Sequence, residues 1–194
     1  MYRNFKMYLY ISDIKLTIKP NHMQEYLIIL RLIHIACGVL WAGGIFMLAL
    51  FILPAVNASG PEGGKVMRQL ASTNHYPNVM TGAATLNIIA GLLLYWNRSN
   101  GFSMDYLSSA QGMTIGTGAI LAIIAYIIGL SITRPGVFRM IHIGNEIAAA
   151  GGKPTENQMS DMTRLRKNIG NATKYMAWLL LITVCCMAIA RYLY

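Results

Sequence analysis

The sequence predicts an all-α membrane protein, a four-transmembrane-helix bundle in which helices 3 and 4 extend as a cytoplasmic helical hairpin. Three observations carry this prediction: long apolar stretches, a shortage of charged residues, and basic residues concentrated on one side. A helix needs about 20 mainly apolar residues to cross the hydrocarbon core of a bilayer. Four uncharged stretches approach or reach this length, at residues 32–53, 79–96, 113–133 and 175–190.

The composition supports a bilayer as the medium. The chain has 194 residues, of which 55% are hydrophobic and only 12% are charged, against about 25% charged residues in soluble domains. Such a chain has too few polar side chains to cover a surface that faces water. One bundle fits this length, so residues 23–194 are predicted to form a single transmembrane domain behind a basic N-terminal tail, residues 1–22.

The connections between the first spans are read from proline, glycine and aromatic residues. The first helix is predicted to end at Pro54, because a proline ring lacks an N–H and clashes with a helix interior. The glycine-rich segment 57–77 then forms a turn that includes a short interfacial piece of helix over 65–72. The second span closes on Tyr95 and Trp96, whose rings suit the headgroup region.

The third and fourth spans are predicted to extend past the bilayer. Pro135 should kink or stop the third helix, yet residues 137–150 keep helical character. They end at a Gly-Gly pair, 151–152, which is a good signal for a helix C-terminus. Thr155 and Gln158 have the spacing of a capping box, and the polar helix that follows them runs into the fourth span. These features predict the helical hairpin.

The distribution of basic residues predicts the orientation. Four spans place both termini on one side of the membrane. The terminus side carries Arg3, Lys6, Lys15, Lys19, Arg31, Arg98 and Arg191. The opposite side carries Lys65, Arg68, Arg134, Arg139, Lys153, Arg164, Arg166, Lys167 and Lys174. Because cytoplasmic loops carry the excess of Lys and Arg, we expect a multi-pass membrane protein with the hairpin in the cytoplasm and both termini outside.

The net charge of +9 does not indicate a nucleic-acid partner. The basic residues lie beside apolar spans and are not interleaved with aromatic residues, a pattern that favours contact with anionic lipid. The partners predicted from the sequence are therefore the lipid bilayer and either a larger membrane complex or further copies of the chain. No nucleophile with a positioned base, phosphate loop or carboxylate pair is present, and no mid-span charge supports an ion-coupled transporter.

His34 is the leading candidate for a functional residue. Histidine is rare in a membrane span, and its neutral imidazole is a common metal ligand. Gly38 and Trp41 follow on the same helical face, where the glycine leaves a recess for a flat macrocycle. Arg31, one turn outward, is suited to pair with an acidic group such as a propionate. In the alternative, His34 hydrogen-bonds another helix, Gly38 permits close packing and Arg31 extends to the interface.

A second ligand for a metal at His34 is sought at the same depth. The antiparallel arrangement brings Cys185, Cys186 and Met187 of the fourth span to this side of the membrane. Imidazole, thiolate and thioether ligands together suit Cu(I), which makes His34, Cys186 and Met187 the candidate metal ligands. The alternative for the sulfur residues is packing in a helix interface. Asn87, in the middle of the second span, is predicted to make an interhelical hydrogen bond.

The first span resembles two related families. Its pattern Arg31-x-x-His34, then Trp41-x-Gly43-Gly44-x-Phe46, resembles the opening helix of HemJ-type protoporphyrinogen oxidases, four-span bacterial proteins whose first-helix histidine ligates haem b. It is equally similar to the His-x6-Trp-x-Gly-Gly pattern of CopD-like copper-resistance membrane domains. Further points of resemblance are Gly63-Gly64-x-x-Met67-Arg68, Gly91-Leu-Leu-Leu-Tyr95-Trp96 and Ala190-Arg191-Tyr192-Leu193.

The resemblance implies a function without settling a reaction. HemJ-type enzymes have a lysine in the third span, and residues 113–133 contain none. The leading hypothesis is therefore an integral membrane protein that binds haem b or copper near the outer face through His34, with a redox link as part of that hypothesis. The rival is an accessory or structural subunit of a larger membrane complex, without a cofactor.

Overall fold

A computed structural model describes residues 20–193. Nearly all of the predicted basic tail lies outside this range. The described chain is 89% helical and has no strand. Its α-helices are α1 (Pro20–Met47), α2 (Leu53–Ala58), α3 (Gly60–Arg68), α4 (Tyr76–Arg98), α5 (Met104–Leu107), α6 (Ala110–Ile128), α7 (Arg134–Ala149) and α8 (Glu156–Ala190). Three π turns complete the helical structure: Leu48–Ile52, Gln69–Thr73 and Gly129–Thr133.

Four continuous helices are long and apolar enough to cross a membrane, as the sequence predicts. We call them spans 1 to 4: His22–Ala58, Tyr76–Arg98, Ala110–Ala149 and Glu156–Ala190. Their apolar side chains remain largely exposed, among them Leu32, Val39, Phe51 and Trp178. Because exposed apolar side chains on all helices cannot be stabilised by water, this protein is a membrane-embedded helical bundle that contacts lipid.

The predicted end of the first helix at Pro54 is wrong. Span 1 passes through Pro54 and ends at Ala58. The π turn Leu48–Ile52 lies just before the proline, and the N–H of Leu53 bonds back to the carbonyl of Leu48. Pro54 therefore falls in the first turn of α2, where a missing N–H costs nothing. The wider turn accommodates the backbone hydrogen bond that a proline in a regular helix would lose.

Span 3 also accommodates a proline by means of a π turn. The π turn Gly129–Thr133 precedes Pro135, which falls in the first turn of α7. The helix continues to Ala149 and is followed by Gly151 and Gly152, whose φ angles of 87° and 83° favour glycine. The capping box of Thr155 at the start of α8 is confirmed. In this part of the chain α7 packs against α8.

The connection between spans 1 and 2 is more helical than the sequence predicts. Instead of a short piece over 65–72, α3 covers Gly60–Arg68 and the π turn Gln69–Thr73 follows directly. The guanidinium of Arg68 donates to the Asn145 amide oxygen at 2.8 Å. This bond ties the connection to α7 of span 3.

The bundle consists of two tight helix pairs. Spans 1 and 2 pack closely on each other, as do spans 3 and 4, whereas contacts between the two pairs are much sparser. The core that joins the pairs is rich in alanine, which lets helices approach closely. Its buried residues are Trp41, Ile45, Ala49, Ala83, Ala84, Ala122, Ala125, Met176, Ala177 and Leu180. Towards the ends of the bundle the looser packing between the pairs leaves space.

Candidate cofactor site

A large cavity lies between the two helix pairs, at the end of the bundle where span 1 begins and span 4 ends. Its volume is about 640 Å³, within the roughly 300–1,000 Å³ of ordinary ligand pockets. All four spans contribute to its walls, and most of the wall is apolar. Loose packing between tight pairs thus produces a space large enough for a cofactor.

Most of the residues singled out in the sequence lie around this cavity. Arg31, His34, Gly38 and Trp41 of span 1 line it, and Met187 of span 4 lines it from the opposite pair. The structure therefore brings together all four residues of the predicted cofactor face and one of the two predicted sulfur ligands.

Cys186 does not line this cavity. Its side chain packs on Gly118 of span 3, where a Cβ atom on the glycine would lie 3.1 Å from the Cβ of Cys186. The methyl group of Met187 lies near the same glycine. Among the residues described, no group of three or more His, Cys, Asp and Glu is placed to hold a metal ion.

His34 is held by a reciprocal pair of hydrogen bonds to span 2. Its Nδ1 lies 2.9 Å from the main-chain carbonyl oxygen of Asn87. The side-chain amide of Asn87 in turn donates to the carbonyl oxygen of His34 at 2.6 Å. The interhelical hydrogen bond predicted for Asn87 is confirmed. Each residue thus fixes the other, and together they fix the register of span 1 against span 2.

This geometry decides the tautomer of the imidazole. A main-chain carbonyl oxygen only accepts hydrogen bonds, so Nδ1 of His34 carries the proton and donates to Asn87. In a neutral imidazole the lone pair then lies on Nε2. Among the hydrogen bonds of the described residues, Nε2 takes part in none. The arrangement matches that of metal-binding histidines, which donate one ring N–H to a carbonyl and use the other nitrogen as ligand.

Two glycines make this close approach possible. A Cβ atom on Gly91 would lie 2.8 Å from Cε1 and 3.0 Å from Nδ1 of His34. A Cβ atom on Gly38 would lie 2.7 Å from the amide nitrogen of Asn87. Contacts this short do not occur between real side chains, so each glycine provides the space for the polar side chain of the facing helix. The recess that the sequence predicts beside Gly38 is therefore occupied by Asn87.

The mouth of the cavity is strongly basic. Arg31, Arg98 and Arg191 line it together with the amides of Asn97 and Gln111, and no carboxylate of the described chain is among the lining residues. Gln111 accepts from the Arg98 guanidinium at 3.1 Å and donates to the carbonyl of Ala190 at 3.0 Å. A site with this rim favours an anionic group at the membrane surface.

Trp41 closes the inner end of the cavity. It is 3% exposed and meets Tyr126 edge to face, with ring centroids 6.4 Å apart. The hydroxyl of Tyr126 lies 2.7 Å from that of Thr85. These contacts join spans 1, 2 and 3 beside the inner end of the cavity.

No family model matches the chain, and neither a curated protein nor a solved structure matches it. The function therefore has to be inferred from the residues around the cavity. Two features distinguish the cavity from ordinary packing defects: an oriented imidazole in its wall and three arginines at its mouth.

Proposed function

We propose that the protein is a multi-pass membrane protein that binds haem b in this cavity, with Nε2 of His34 as a ligand of the iron. The single observation that supports this most is the hydrogen bond from Nδ1 of His34 to the carbonyl of Asn87. It leaves the metal-binding nitrogen without a proton and fixes the ring plane, which is the usual arrangement of a ligating histidine.

The other residues of the cavity fit the same group. The volume of about 640 Å³ falls in the range of cofactor pockets, and apolar walls suit a porphyrin face. Arg31, Arg98 and Arg191 at the mouth are suited to bind the two propionates as guanidinium–carboxylate pairs. The buried Trp41 lines the inner end. Haem, when bound, supplies one-electron redox chemistry, and the chain's own residues hold and orient it.

Copper is the second candidate, on the evidence of Met187. Its thioether lines the same cavity as the imidazole of His34, and Cu(I) favours such ligands. Cys186, the third member of the predicted set, packs on span 3 instead, which makes copper the weaker candidate. The remaining alternative is an accessory subunit of a larger membrane complex, or a homo-oligomer, that binds no cofactor.

The proposal is tested by replacing His34 and comparing a matched variant. Loss of a residue that only orients a metal ligand typically costs about 10–100-fold in metal affinity, so His34→Ala is expected to cost about 100-fold or more. His142→Ala is the control, because that histidine lies outside the cavity and pairs with Glu146. The measurement is an optical titration of the detergent-solubilised protein with ferric haem, together with metal analysis.

Each outcome of this titration decides between the candidates. A Soret shift at one haem per chain in the wild type and in His142→Ala, absent in His34→Ala, supports haem. Bound copper that is lost in His34→Ala supports the second candidate. A colourless, metal-free protein that takes up no haem and co-purifies with a large complex contradicts both and supports the accessory subunit.

We also propose that the protein lies in the bacterial inner membrane with the α7–α8 hairpin in the cytoplasm and both termini outside, as a member of the CopD-like and HemJ-like four-span proteins. The basic residues concentrated beside the hairpin support this orientation. Alkaline phosphatase fused after Tyr194 is expected to be active, because that enzyme folds only outside the cytoplasm. A stable but inactive fusion would reverse the assignment.

A further inference from the structure

A second cavity lies at the other end of the bundle, on the far side of Trp41. Its volume is about 70 Å³, and residues of all four spans and of the connection between spans 1 and 2 line it. The walls are almost wholly apolar, with Leu48, Leu70, Met80 and Met176 among them. An apolar cavity of this kind does not stabilise an ion or a polar molecule. The part of a ligand that lies inside it therefore has to be apolar.

All three π turns of the described chain border this cavity. Leu48 belongs to the first of them, Leu70 and Ala71 to the second, and Gly129, Leu130 and Thr133 to the third. π-Helical residues make up well under 1% of residues in soluble proteins, and they occur frequently at functional sites. Two of the turns also precede a proline, Pro54 or Pro135, and all three widen the helices where they border this cavity.

Arg134 contributes a positive charge to the lining of this cavity. It is the only charged residue among the described residues that line it, and it directly follows the uncharged stretch 113–133. Its guanidinium lies 3.4 Å from the Asn78 amide oxygen and 5.3 Å from the ring centre of Phe138. A cation at the end of an apolar span lies at the level of lipid headgroups. The site therefore has an apolar interior and a positive rim at the depth of a phosphate.

We propose that this second cavity binds an anionic phospholipid, with the phosphate on Arg134 and a segment of one acyl chain between the π turns. The volume accommodates part of a chain rather than a whole lipid. The positive rim, without a carboxylate among the lining residues described, complements the lipid phosphate and favours a headgroup that lacks the choline cation. This site is separated from the cofactor cavity by Trp41, and the proposal does not depend on haem or copper.

The headgroup part of the proposal is tested with Arg134→Gln. Delipidated full-length protein is mixed with dioleoyl phosphatidylglycerol or dioleoyl phosphatidylcholine, and retained lipid is counted by native mass spectrometry. One basic residue near the surface favours anionic lipid by about fivefold. We expect that preference in the wild type and its loss in Arg134→Gln. The control is Arg139→Gln, because Arg139 lies on the same helix, is exposed and does not line the cavity.

The chain part is tested with Leu130→Trp, which fills the cavity from the third π turn. Leu130 is 39% exposed, so the larger ring can be accommodated, and Leu86→Trp on the lipid-facing side of span 2 is the control. We expect Leu130→Trp to reduce retention of both lipids and Leu86→Trp to leave it unchanged. If Leu130→Trp fails to fold, the pair of arginine variants decides alone.

Four results would overturn the proposal. The first is equal retention of the two lipids by the wild type. The second is an equal loss of the preference for phosphatidylglycerol in Arg139→Gln and Arg134→Gln, which would mean that anionic lipid is attracted to basic residues in general. The third is displacement of neither lipid by Leu130→Trp in a folded protein. Retention of an isoprenoid quinone in preference to phosphatidylglycerol would also contradict it and identify a different occupant.

Discussion

Gly63→Ala is expected to destabilise the folded protein by about 3 kcal/mol or more, whereas Gly64→Ala is expected to stabilise it by about 1 kcal/mol. A Cβ atom on Gly63 collides with the main-chain carbonyl group of Val56. That obstacle is backbone of the preceding helix α2, so it cannot move aside as a flexible side chain would. A Cβ atom on Gly64 meets nothing within 4 Å.

The comparison separates packing from helix propensity. Both glycines lie within α3, and replacing a helical glycine by alanine favours the helix by about 1 kcal/mol. At Gly64 this gain is the whole effect. At Gly63 the collision outweighs it, because α3 must separate from α2 to accept a methyl group. Thermal unfolding in one detergent, followed by circular dichroism, measures the difference. Equal stability of the two variants would show that the α2–α3 corner is not packed as described.

The fold was predictable wherever one local property decides it. Length and lack of charge were sufficient for the four spans. The spacing of Thr155 and Gln158 was sufficient for the start of α8. In each case the deciding interaction lies within a few residues or between the chain and lipid, so no knowledge of tertiary contacts is needed.

The predicted stop at Pro54 failed for a physical reason. The rule that proline ends a helix assumes regular hydrogen bonds before it. Here the turn Leu48–Ile52 is one residue wider, and Pro54 begins a new segment instead of interrupting one. The wider turn borders a cavity formed by other spans. The apolar pattern of the sequence does not show that the helix widens before its proline instead of ending there.

The candidate site was predictable on one helix but not across helices. The face of Arg31, His34, Gly38 and Trp41 follows from helical spacing alone, and the structure turns this face to the cavity. The partner of His34 could not be read from the sequence, because pairing with Asn87 depends on the register between two spans. Gly91 carried a signal in retrospect, since it lies four residues after Asn87, on the same helical face.

The arginines at the mouth show the same limit. From the sequence, Arg98 contributes only to the predicted orientation. The connection between spans 2 and 3 brings Gln111 close to Arg98, which donates a hydrogen bond to it. Gln111 in turn donates to the last turn of span 4. For Cys186 the sequence predicts the same depth as His34, but it does not predict which way the side chain faces. In the structure α8 is rotated so that Cys186 packs on Gly118. Its role as a metal ligand stays a prediction that bound copper would test.

Gly91→Ala is expected to lower the affinity for haem at least about tenfold, as loss of a second-sphere contact does, and to cost about 1–2 kcal/mol of stability. The added methyl group would lie 2.8 Å from Cε1 and 3.0 Å from Nδ1 of His34. The imidazole must then turn away and lose its bond to the Asn87 carbonyl. Without that bond neither the tautomer nor the ring plane is fixed. Gly82→Ala on the same span is the control, because its Cβ meets nothing within 4 Å.

Asn87→Ala distinguishes loss of binding geometry from loss of stability. This variant removes the amide that bonds the His34 carbonyl, worth about 0.6–2 kcal/mol in a membrane, but it keeps the main-chain carbonyl that accepts from Nδ1. We therefore expect Asn87→Ala to unfold more readily and still bind haem. Gly91→Ala is expected to lower both the stability and the haem affinity. Haem titration and thermal unfolding of the same samples separate the two effects. If Gly91→Ala binds haem as tightly as Gly82→Ala, the oriented imidazole is not the ligand, and the hydrogen bond between His34 and Asn87 serves packing alone.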